Sequence, residues 1–322
     1  MTDHLRISRR DFVRGSLLAA GAFTVPGMLA ACSKKAPPAT ARSLAELVNA
    51  RKAAGVKQGL SVFLGGEDYV QTIPAYVAFG MTDTAGLPVI GSPATVWLAE
   101  GAGGEGMPLG PFSAPWAPYS KPDAPPPAPQ GLNHLDEATF AQPGVWQMLV
   151  EVQTKDGRVL GTSAIQVKAT GKTDTRVPGE RAIASQTPTV DNPRGVHPIC
   201  TRTPPCPFHK VTLAKALTLG KPTAFIVATP KFCMSRTCGP NLEELILVAD
   251  QVGDRASFVH AEVYRSDKAA DIQRQVGSPT FQQWGFQSEP WLFLMDRTGV
   301  ISKRFEGPVV APIIQPAVQP LL

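Results

Sequence analysis

Two cysteines five positions apart, Cys233 and Cys238, offer the clearest reactive chemistry in the chain. The apolar run 224–228 before them predicts a strand, and the apolar residues spaced from 242 to 252 predict a helix after them. Amide N–H groups and the positive end of a helix dipole favour a thiolate over a thiol at a helix N-terminus. The pattern therefore indicates a thiol that a strand-to-helix loop could activate.

The spacing of this pair also constrains where the helix begins. Residues five apart in a regular helix have Cα atoms about 8–9 Å apart, whereas a disulfide needs about 4.4–6.8 Å. The pair can bond only if the intervening residues form a turn and the helix begins at about Cys238 or Gly239, which suits Pro240 as the first helical position. We expect Cys233 to be the nucleophile and Cys238 to resolve it, with Arg236 favouring the thiolate. A static Cys233–Cys238 disulfide is the alternative.

A second pair, Cys200 and Cys206, lies between His197 and His209. Two thiolates and two imidazoles suit Zn²⁺ or a copper ion. However, three prolines within the segment, Pro204, Pro205 and Pro207, stiffen it against wrapping an ion. We therefore predict a structural Cys200–Cys206 disulfide. A metal site on these four residues, and a relay pair that exchanges with the first pair, remain open alternatives.

Residues 196–322 are predicted to form an α/β domain with the order strand, helix, strand, helix and hairpin, which is the order of a thioredoxin-like domain. The resemblance is strongest at Ser288-Glu289-Pro290-Trp291. Thioredoxin-like proteins carry a cis-proline just before the third core strand, and Pro290 occupies that place. The resemblance implies that Pro290 packs against the cysteine loop and shapes the groove for a partner.

Three short segments extend this resemblance to a group of bacterial extracytoplasmic thioredoxin-domain lipoproteins. They are Cys238-Gly239-Pro240, Glu289-Pro290-Trp291 and Glu306-Gly307-Pro308. The resemblance covers about residues 195–310. Four residues separate the cysteines here, whereas thioredoxin has two and copper-delivery proteins of the Sco type have three.

The preceding residues 57–169 show short strands punctuated by Gly and Pro, which predicts an all-β immunoglobulin-like sandwich. A capping-box pattern at Ser43 predicts a short helix before it. Apolar residues alternate with mostly polar ones from Trp146 to Gln153, so one face of that strand is expected to be wet, and Lys155-Asp156-Gly157 predicts a hairpin turn. The polar, aperiodic residues 170–195 are predicted to be an interdomain linker.

The N-terminal residues resemble an export address. Ser8-Arg9-Arg10-Asp11-Phe12 and the weakly apolar run after it resemble a twin-arginine signal over residues 1–31. Leu29-Ala30-Ala31-Cys32 resembles a lipobox, which implies lipidation of Cys32 and a membrane anchor; a plain signal peptide is the alternative. Residues 32–56 would then be a tether and the short helix.

Charge and cysteine usage limit the function classes. The formal net charge is +5, and removal of residues 1–31, with four Arg and two Asp, lowers it to +3. That charge is too small and dispersed to predict nucleic-acid binding. Outside Cys32 the cysteines form two close pairs, which suits an oxidising compartment outside the cytoplasm.

We therefore predict a membrane-anchored, extracytoplasmic thiol–disulfide oxidoreductase or redox carrier whose partner is a protein disulfide or thiol, with no cofactor. One alternative is a copper-handling module that holds Cu(I) on Cys233, Cys238 and a histidine, with Met234 as a soft neighbour. Another is a redox-inert scaffold lipoprotein in which both disulfides are structural. His260, in a predicted strand, is expected to be a core or edge residue.

Overall fold

The computed structural model describes residues 41–322. The predicted export signal, lipobox and Cys32 lie outside the described residues. Within residues 41–322 the chain is a mixed, sheet-rich fold with three β-sheets. None of the helices in this range combines the length and apolar character needed to cross a bilayer.

The first part of the chain supplies a helix and ten strands. Helix α1 is Leu44–Ala53, and the Ser43 hydroxyl accepts a hydrogen bond from the Glu46 amide at its N-terminus, as the capping box predicts. The strands are β1 (Lys57–Gln58), β2 (Ser61–Leu64), β3 (Tyr69–Val70), β4 (Ala75–Thr82), β5 (Ala94–Glu100), β6 (Leu109–Ala114), β7 (Trp116–Pro118), β8 (Gly131–Ala138), β9 (Gly144–Thr154) and β10 (Gly157–Lys168). The predicted hairpin turn joins β9 to β10.

These strands form two sheets whose inner faces share one core. The first sheet has the order β1-β10-β9-β5-β6, with β3 beside β10, and the second has the order β2-β4-β8-β7. Phe79 of β4 packs in the same apolar cluster as Val96 of β5 and Met148 of β9. The alternation of side chains along each strand places these residues on facing surfaces.

The prediction of a wet outer face on β9 is wrong. Leu149 is fully buried there and Glu151 is nearly so. Helix α1 covers this face, where Leu149 packs with Leu44 and Trp97, and Arg51 of the helix lies 3.3 Å from the Glu151 carboxylate. The helix arrives from a distant part of the sequence, so the alternation within β9 cannot reveal it.

The segment 170–195 contains no helix or long strand, but it is packed against the second part of the chain. The Ser185 hydroxyl accepts a hydrogen bond of 2.9 Å from the Trp284 indole N–H. The Thr187 hydroxyl accepts another of 2.9 Å from the Leu213 amide. The polar side chains of this segment thus accept hydrogen bonds from buried donors. This explains why the segment is polar although it is packed and is not a free linker.

The second part of the chain is built on a four-stranded sheet. Its elements are α2 (Leu213–Ala216), β11 (Thr223–Val227), α3 (Cys238–Val252), β12 (Ser257–Ala261), α4 (Ala269–Gln273), α5 (Pro279–Trp284), β13 (Trp291–Met295), β14 (Ile301–Glu306) and α6 (Ala311–Val318). The strand order is β12-β11-β13-β14, with β12 parallel to β11 and β13 antiparallel to it. The predicted sequence of strands, helices and hairpin is observed.

The two parts share apolar packing through strand β4. Its side chains are buried on both faces, because Val77 and Phe79 point into the core between the first two sheets while Tyr76 and Ala78 pack on the opposite side. The Tyr76 ring meets the Phe305 ring of β14 edge-on, with ring centroids 5.0 Å apart. The second part therefore rests on the outer face of the second sheet.

Buried polar contacts reinforce this junction. One carboxylate oxygen of Glu306 accepts hydrogen bonds from the amides of Glu67 and Asp68, at 2.8 and 2.7 Å. The Arg304 guanidinium donates to the Asp68 carboxylate at 2.8 Å. Burial raises the pKa of Glu306, while the hydrogen bonds from Ser288 and from these amides act in the opposite direction.

Candidate active site

The predicted cysteine loop lies between the end of β11 and the start of α3. Helix α3 begins at Cys238, as the spacing argument requires. Arg236 has a φ of 57°, in the left-handed region, so the chain turns sharply just before the helix. The Cys238 amide donates to the Cys233 sulfur at 3.3 Å. The loop thus brings the two cysteines together at the helix N-terminus.

The two thiols have opposite environments. Cys233 is partly exposed, whereas Cys238 is completely buried in the core beside Leu242. A hydrogen bond with the Cys238 thiol, supported by the Ser235 hydroxyl and by the amides of Cys238 and Thr237, lowers the pKa of Cys233 to about 5. Burial raises the pKa of Cys238 well above its usual value, and the Cys233 thiolate adds to this effect. At neutral pH the exposed sulfur is a thiolate and the buried one a thiol.

Hydrogen bonds, more than a nearby positive charge, activate Cys233. The Ser235 hydroxyl lies 3.2 Å from the Cys233 sulfur and 2.8 Å from the Thr237 hydroxyl. The main groups that lower this pKa are the Cys238 thiol, the Ser235 hydroxyl and two backbone amides, and not the Arg236 guanidinium that was predicted to favour the thiolate. Donors to a thiolate at a helix N-terminus stabilise its charge without an ion pair.

Glu289 is a site residue that the sequence analysis did not identify. It immediately precedes Pro290, and the Glu289–Pro290 peptide bond is cis, at the position predicted for a cis-proline. Burial raises the pKa of Glu289 to about 7, with a further contribution from the Cys233 charge. A carboxyl group that titrates near neutrality beside a thiolate can accept or donate a proton there. The only sequence signal for it was its place in the Glu-Pro-Trp motif.

The first part of the chain contributes Tyr119, which lies behind the cysteine pair. Its hydroxyl group is 3.5 Å from the Asn241 side-chain oxygen of α3. Burial raises the pKa of Tyr119 well above its usual value, and the negative charge of the Cys233 thiolate raises it further. The next residue, Ser120, donates its amide to the buried Glu244 carboxylate of α3 at 2.5 Å.

A groove of about 310 Å³ opens beside the cysteine loop. Ser235, Thr237 and Glu289 line one side of it. The opposite side comes from the second sheet and its loops and is mostly apolar: Phe63, Phe79, Ile90, Trp116, Tyr119 and Leu132. The partly exposed thiol region therefore adjoins an apolar channel formed by both parts of the chain.

The second cysteine pair has a different set of neighbours from the predicted one. Cys200 and Cys206 are buried, and their sulfurs meet the ring nitrogens of His209 and His260. His197 is exposed, and its backbone amide bonds to the Arg265 carbonyl instead. The alternative metal set that the sequence suggested is corrected accordingly: His260 of β12 replaces His197, because the fold places β12 alongside the segment.

All four cysteines within residues 41–322 are free thiols in the structure. The two cysteines of each predicted disulfide lie close together but are not bonded. The Cys233–Cys238 and Cys200–Cys206 bonds therefore stay predictions. Within the same residues the cluster at Cys200 is the single group of three or more Cys, His, Asp or Glu ligand atoms close enough to share an ion. No histidine joins Cys233 and Cys238, and Met234 is 90% exposed. Within residues 41–322, the histidine that the copper hypothesis requires beside Cys233 and Cys238 is therefore missing.

No known protein-family description and no curated protein sequence matches the chain. Its structural neighbours include a thiol:disulfide interchange protein of the thioredoxin family from Chlorobium tepidum TLS, with 15% identity and a TM-score of 0.28 over 46% of this chain and 95% of that one. A DsbF homologue from Corynebacterium diphtheriae has 17% identity and a TM-score of 0.33 over 48% of this chain and 97% of that one. The PKD domain of human VPS10 domain-containing receptor SorCS2 has 12% identity and a TM-score of 0.20 over 48% of this chain and 98% of that one. Similarity at this level marks partial likeness in fold and carries no functional inference.

Proposed function

We propose that the chain is a thiol–disulfide oxidoreductase or redox carrier that uses Cys233 as nucleophile and Cys238 as resolving thiol. The observation that carries the proposal is the asymmetry of the pair. Cys233 is partly exposed with a pKa lowered to about 5, and it lies directly over a buried thiol at the first residue of α3. A structural disulfide would not require one member to be an accessible thiolate.

The exchange reaction then proceeds in two balanced steps. The Cys233 thiolate attacks one sulfur of a partner disulfide; a Cys233–partner disulfide forms, the partner S–S bond breaks, and the other partner sulfur leaves as a thiolate that takes up a proton. Cys238 then loses its proton, attacks the Cys233 sulfur and displaces the second partner sulfur as a thiol. The partner gains two electrons from the chain and two protons, one lost by Cys238 and one from water, and the chain ends with a Cys233–Cys238 disulfide. The reverse sequence oxidises a partner dithiol.

Glu289 assists the second step in this proposal. Cys238 must lose a proton although burial raises its pKa, and Glu289 contributes charge close to both thiols. With a pKa of about 7, its carboxylate form can accept the Cys238 proton at neutral pH. Pro290, which follows it, would shape the side of the site that a partner approaches.

The decisive experiment is trapping with Cys238→Ser. This variant keeps the nucleophile and lacks the resolving thiol, so we expect a stable mixed disulfide with a protein partner in the native envelope. Cys233→Ser is the matched control and should trap nothing. A Cys233–Cys238 reduction potential below about −300 mV, together with no adduct, would instead support the redox-inert scaffold.

We further propose that the protein acts outside the cytoplasm, anchored to the membrane by lipid on Cys32. The twin-arginine pattern and the lipobox in the sequence support this location. Fractionation of cells that express the Cys32→Ala variant tests it, because loss of the anchor should move the protein from the membrane to the soluble extracytoplasmic fraction. Continued membrane association would contradict the anchor.

The first part of the chain is proposed to be an immunoglobulin-like sandwich that helps to receive the partner. Its two face-to-face, mostly antiparallel sheets support the architecture. Its apolar side chains line the groove beside Cys233, and Tyr119 reaches the cysteine pair. These contacts give the sandwich a place in partner binding without chemistry of its own.

A further inference from the structure

We infer that Cys200, Cys206, His209 and His260 form a closed binding site for one Zn²⁺ ion. The site is separate from the proposed redox pair, and the inference does not depend on that function. Two thiolates would balance the charge of a divalent ion, and two neutral imidazoles would complete four ligands. This is a ligand set typical of structural zinc sites.

The spacing of the four ligand atoms carries the inference. All of them lie within 4.8 Å of one another. His260 Nδ1 is 3.4 Å from the Cys206 sulfur and 3.8 Å from the Cys200 sulfur, and it is 3.1 Å from His209 Nε2. Tetrahedral bonds of about 2.0–2.3 Å separate neighbouring ligand atoms by about 3.3–3.8 Å. The three distances from His260 Nδ1 lie within about 0.2 Å of that range. The outer limit of 4.8 Å for the whole set is about 1 Å wider, so the four atoms surround one point and would draw inward on binding an ion.

The histidine rings are oriented for this role. His260 Nε2 donates to the Ala228 carbonyl at 3.0 Å, because a carbonyl oxygen can only accept. In the neutral ring Nδ1 is then unprotonated, and its lone pair faces the two sulfurs. A backbone carbonyl that fixes the tautomer of a ligating histidine is a usual outer partner of a metal site.

His209 completes the set of four ligands. Its Nε2 lies against His260 Nδ1, so two ring nitrogens meet at one point. Its other nitrogen, Nδ1, is buried without a hydrogen bond of good geometry, although the Pro188 carbonyl lies nearby. Two ring nitrogens and two sulfurs that face one point can each direct a lone pair at one shared cation.

Burial makes the site closed and structural. The four residues are between 0% and 6% exposed, and the adjacent Phe208 ring stacks on Phe258 at 5.5 Å between centroids. No ligand position therefore opens to solvent for a substrate, as a catalytic zinc site would need. The three prolines of this segment were expected to oppose metal binding. They nevertheless belong to a loop in which both sulfurs face the same point.

The site would fasten the segment 200–209 to the sheet close to the redox loop. The Thr201 amide donates to the Glu262 carboxylate, just beyond β12, at 2.6 Å. The Thr201 hydroxyl in turn accepts from the Lys231 amide of the cysteine loop at 3.2 Å. Ala228, whose carbonyl orients His260, is the residue next to the end of β11. Zinc would thus hold the base of the loop that carries Cys233.

Metal analysis of the full chain, purified without chelator, tests the inference. We expect one equivalent of zinc per chain in the wild type and its complete loss in Cys206→Ser and His260→Gln. His197→Gln, from the same segment, is the matched control and should retain the full equivalent. Retention of zinc by both ligand variants, or its loss in the control, would overturn the assignment.

Thiol accounting on the wild type keeps the test independent of how the variants fold. With zinc bound, Cys200 and Cys206 should resist alkylation in the native protein and become labelled after chelator and denaturant without any reductant. If labelling of both residues needed a reductant, a Cys200–Cys206 disulfide would occupy the site and the inference would fail. One equivalent of copper in place of zinc would overturn the choice of ion.

Discussion

The two cysteine pairs lie in the same half of the molecule, have nearly equal spacing and flank the same strand end, yet their surroundings differ completely. Cys233 is partly open to solvent and receives hydrogen bonds from a hydroxyl group and from amides at a helix N-terminus. Cys200 and Cys206 are both buried and face two imidazoles. From this comparison we infer that the groups that face a thiol pair decide its chemistry, while spacing decides only whether the two thiols can meet.

The difference has an electrostatic origin. Amide and hydroxyl donors stabilise a negative sulfur, so one member of an asymmetric pair becomes a nucleophile while the buried member stays protonated. Imidazole nitrogens with lone pairs do not donate to sulfur; they compete with it for a cation or a proton. Buried thiols beside such nitrogens suit a shared ion, and partly exposed thiols beside donors suit exchange.

The largest expected effect is that a substitution in either cysteine pair removes the property of that pair and leaves the property of the other pair intact. Cys233→Ser should abolish exchange with a small disulfide such as oxidised glutathione while the zinc content stays at one equivalent. Cys206→Ser should remove the zinc while Cys233 still forms a mixed disulfide. Stopped-flow exchange assays and metal analysis on the same preparations provide the two readouts. If either substitution removed both properties, the separation of the pairs would be wrong.

An intermediate effect is expected for Glu289→Gln. Without the carboxylate, the proton of Cys238 has no acceptor of matched pKa, so resolution of the mixed disulfide should slow by about tenfold to a hundredfold at neutral pH. The initial attack by Cys233 should change little. Acid-quench measurement of the lifetime of the mixed disulfide checks this.

The exposed Glu137, on β8, supplies a control for that experiment, since Glu137→Gln makes the same chemical change far from either pair. An unchanged lifetime in Glu289→Gln would show that water, and not Glu289, takes the Cys238 proton.

The smallest expected effect concerns the pH dependence of Cys233. Because its folded-state pKa is lowered to about 5, the thiolate persists at neutral pH, and the rate of attack should fall about tenfold per pH unit below that value. Ser235→Ala removes one hydrogen bond to the thiolate and should raise this pKa by about one. The ultraviolet absorbance of the thiolate measures the shift.

Ser113→Ala, on the exposed strand β6, is the matched control and should leave the titration unchanged. If Ser235→Ala also left it unchanged, the backbone amides and the Cys238 thiol alone would account for the activated sulfur, and the contrast with the second pair would depend on backbone donors only.

Several local features could be predicted from the sequence because short-range rules decide them. The start of α3 at Cys238 follows from the limit on how far apart two bonded cysteines can lie, and the turn before β10 follows from Lys155-Asp156-Gly157. The Ser43 cap and the position of the cis bond before β13 could likewise be predicted from a few adjacent residues. Each of these depends on groups that are neighbours along the chain.

The features that were missed depend on distant groups. The covered face of β9 depends on α1, almost a hundred residues earlier, and Tyr119 reaches the cysteine pair only because the second sheet packs on α3 and β14. The raised pKa of Glu289 depends on burial, which no local pattern specifies.

By itself the sequence determined which residues could do chemistry here: two cysteine pairs, a strand that leads into one of them, and a proline at the position where a cis bond was predicted. Only the tertiary structure decided their partners, replacing the exposed His197 by His260 and burying one thiol of the first pair while leaving the other accessible. The physical reason is that ligand distance, burial and hydrogen-bond direction are set where strands far apart in sequence pack side by side, and these quantities separate a thiol that exchanges from a thiol that binds an ion.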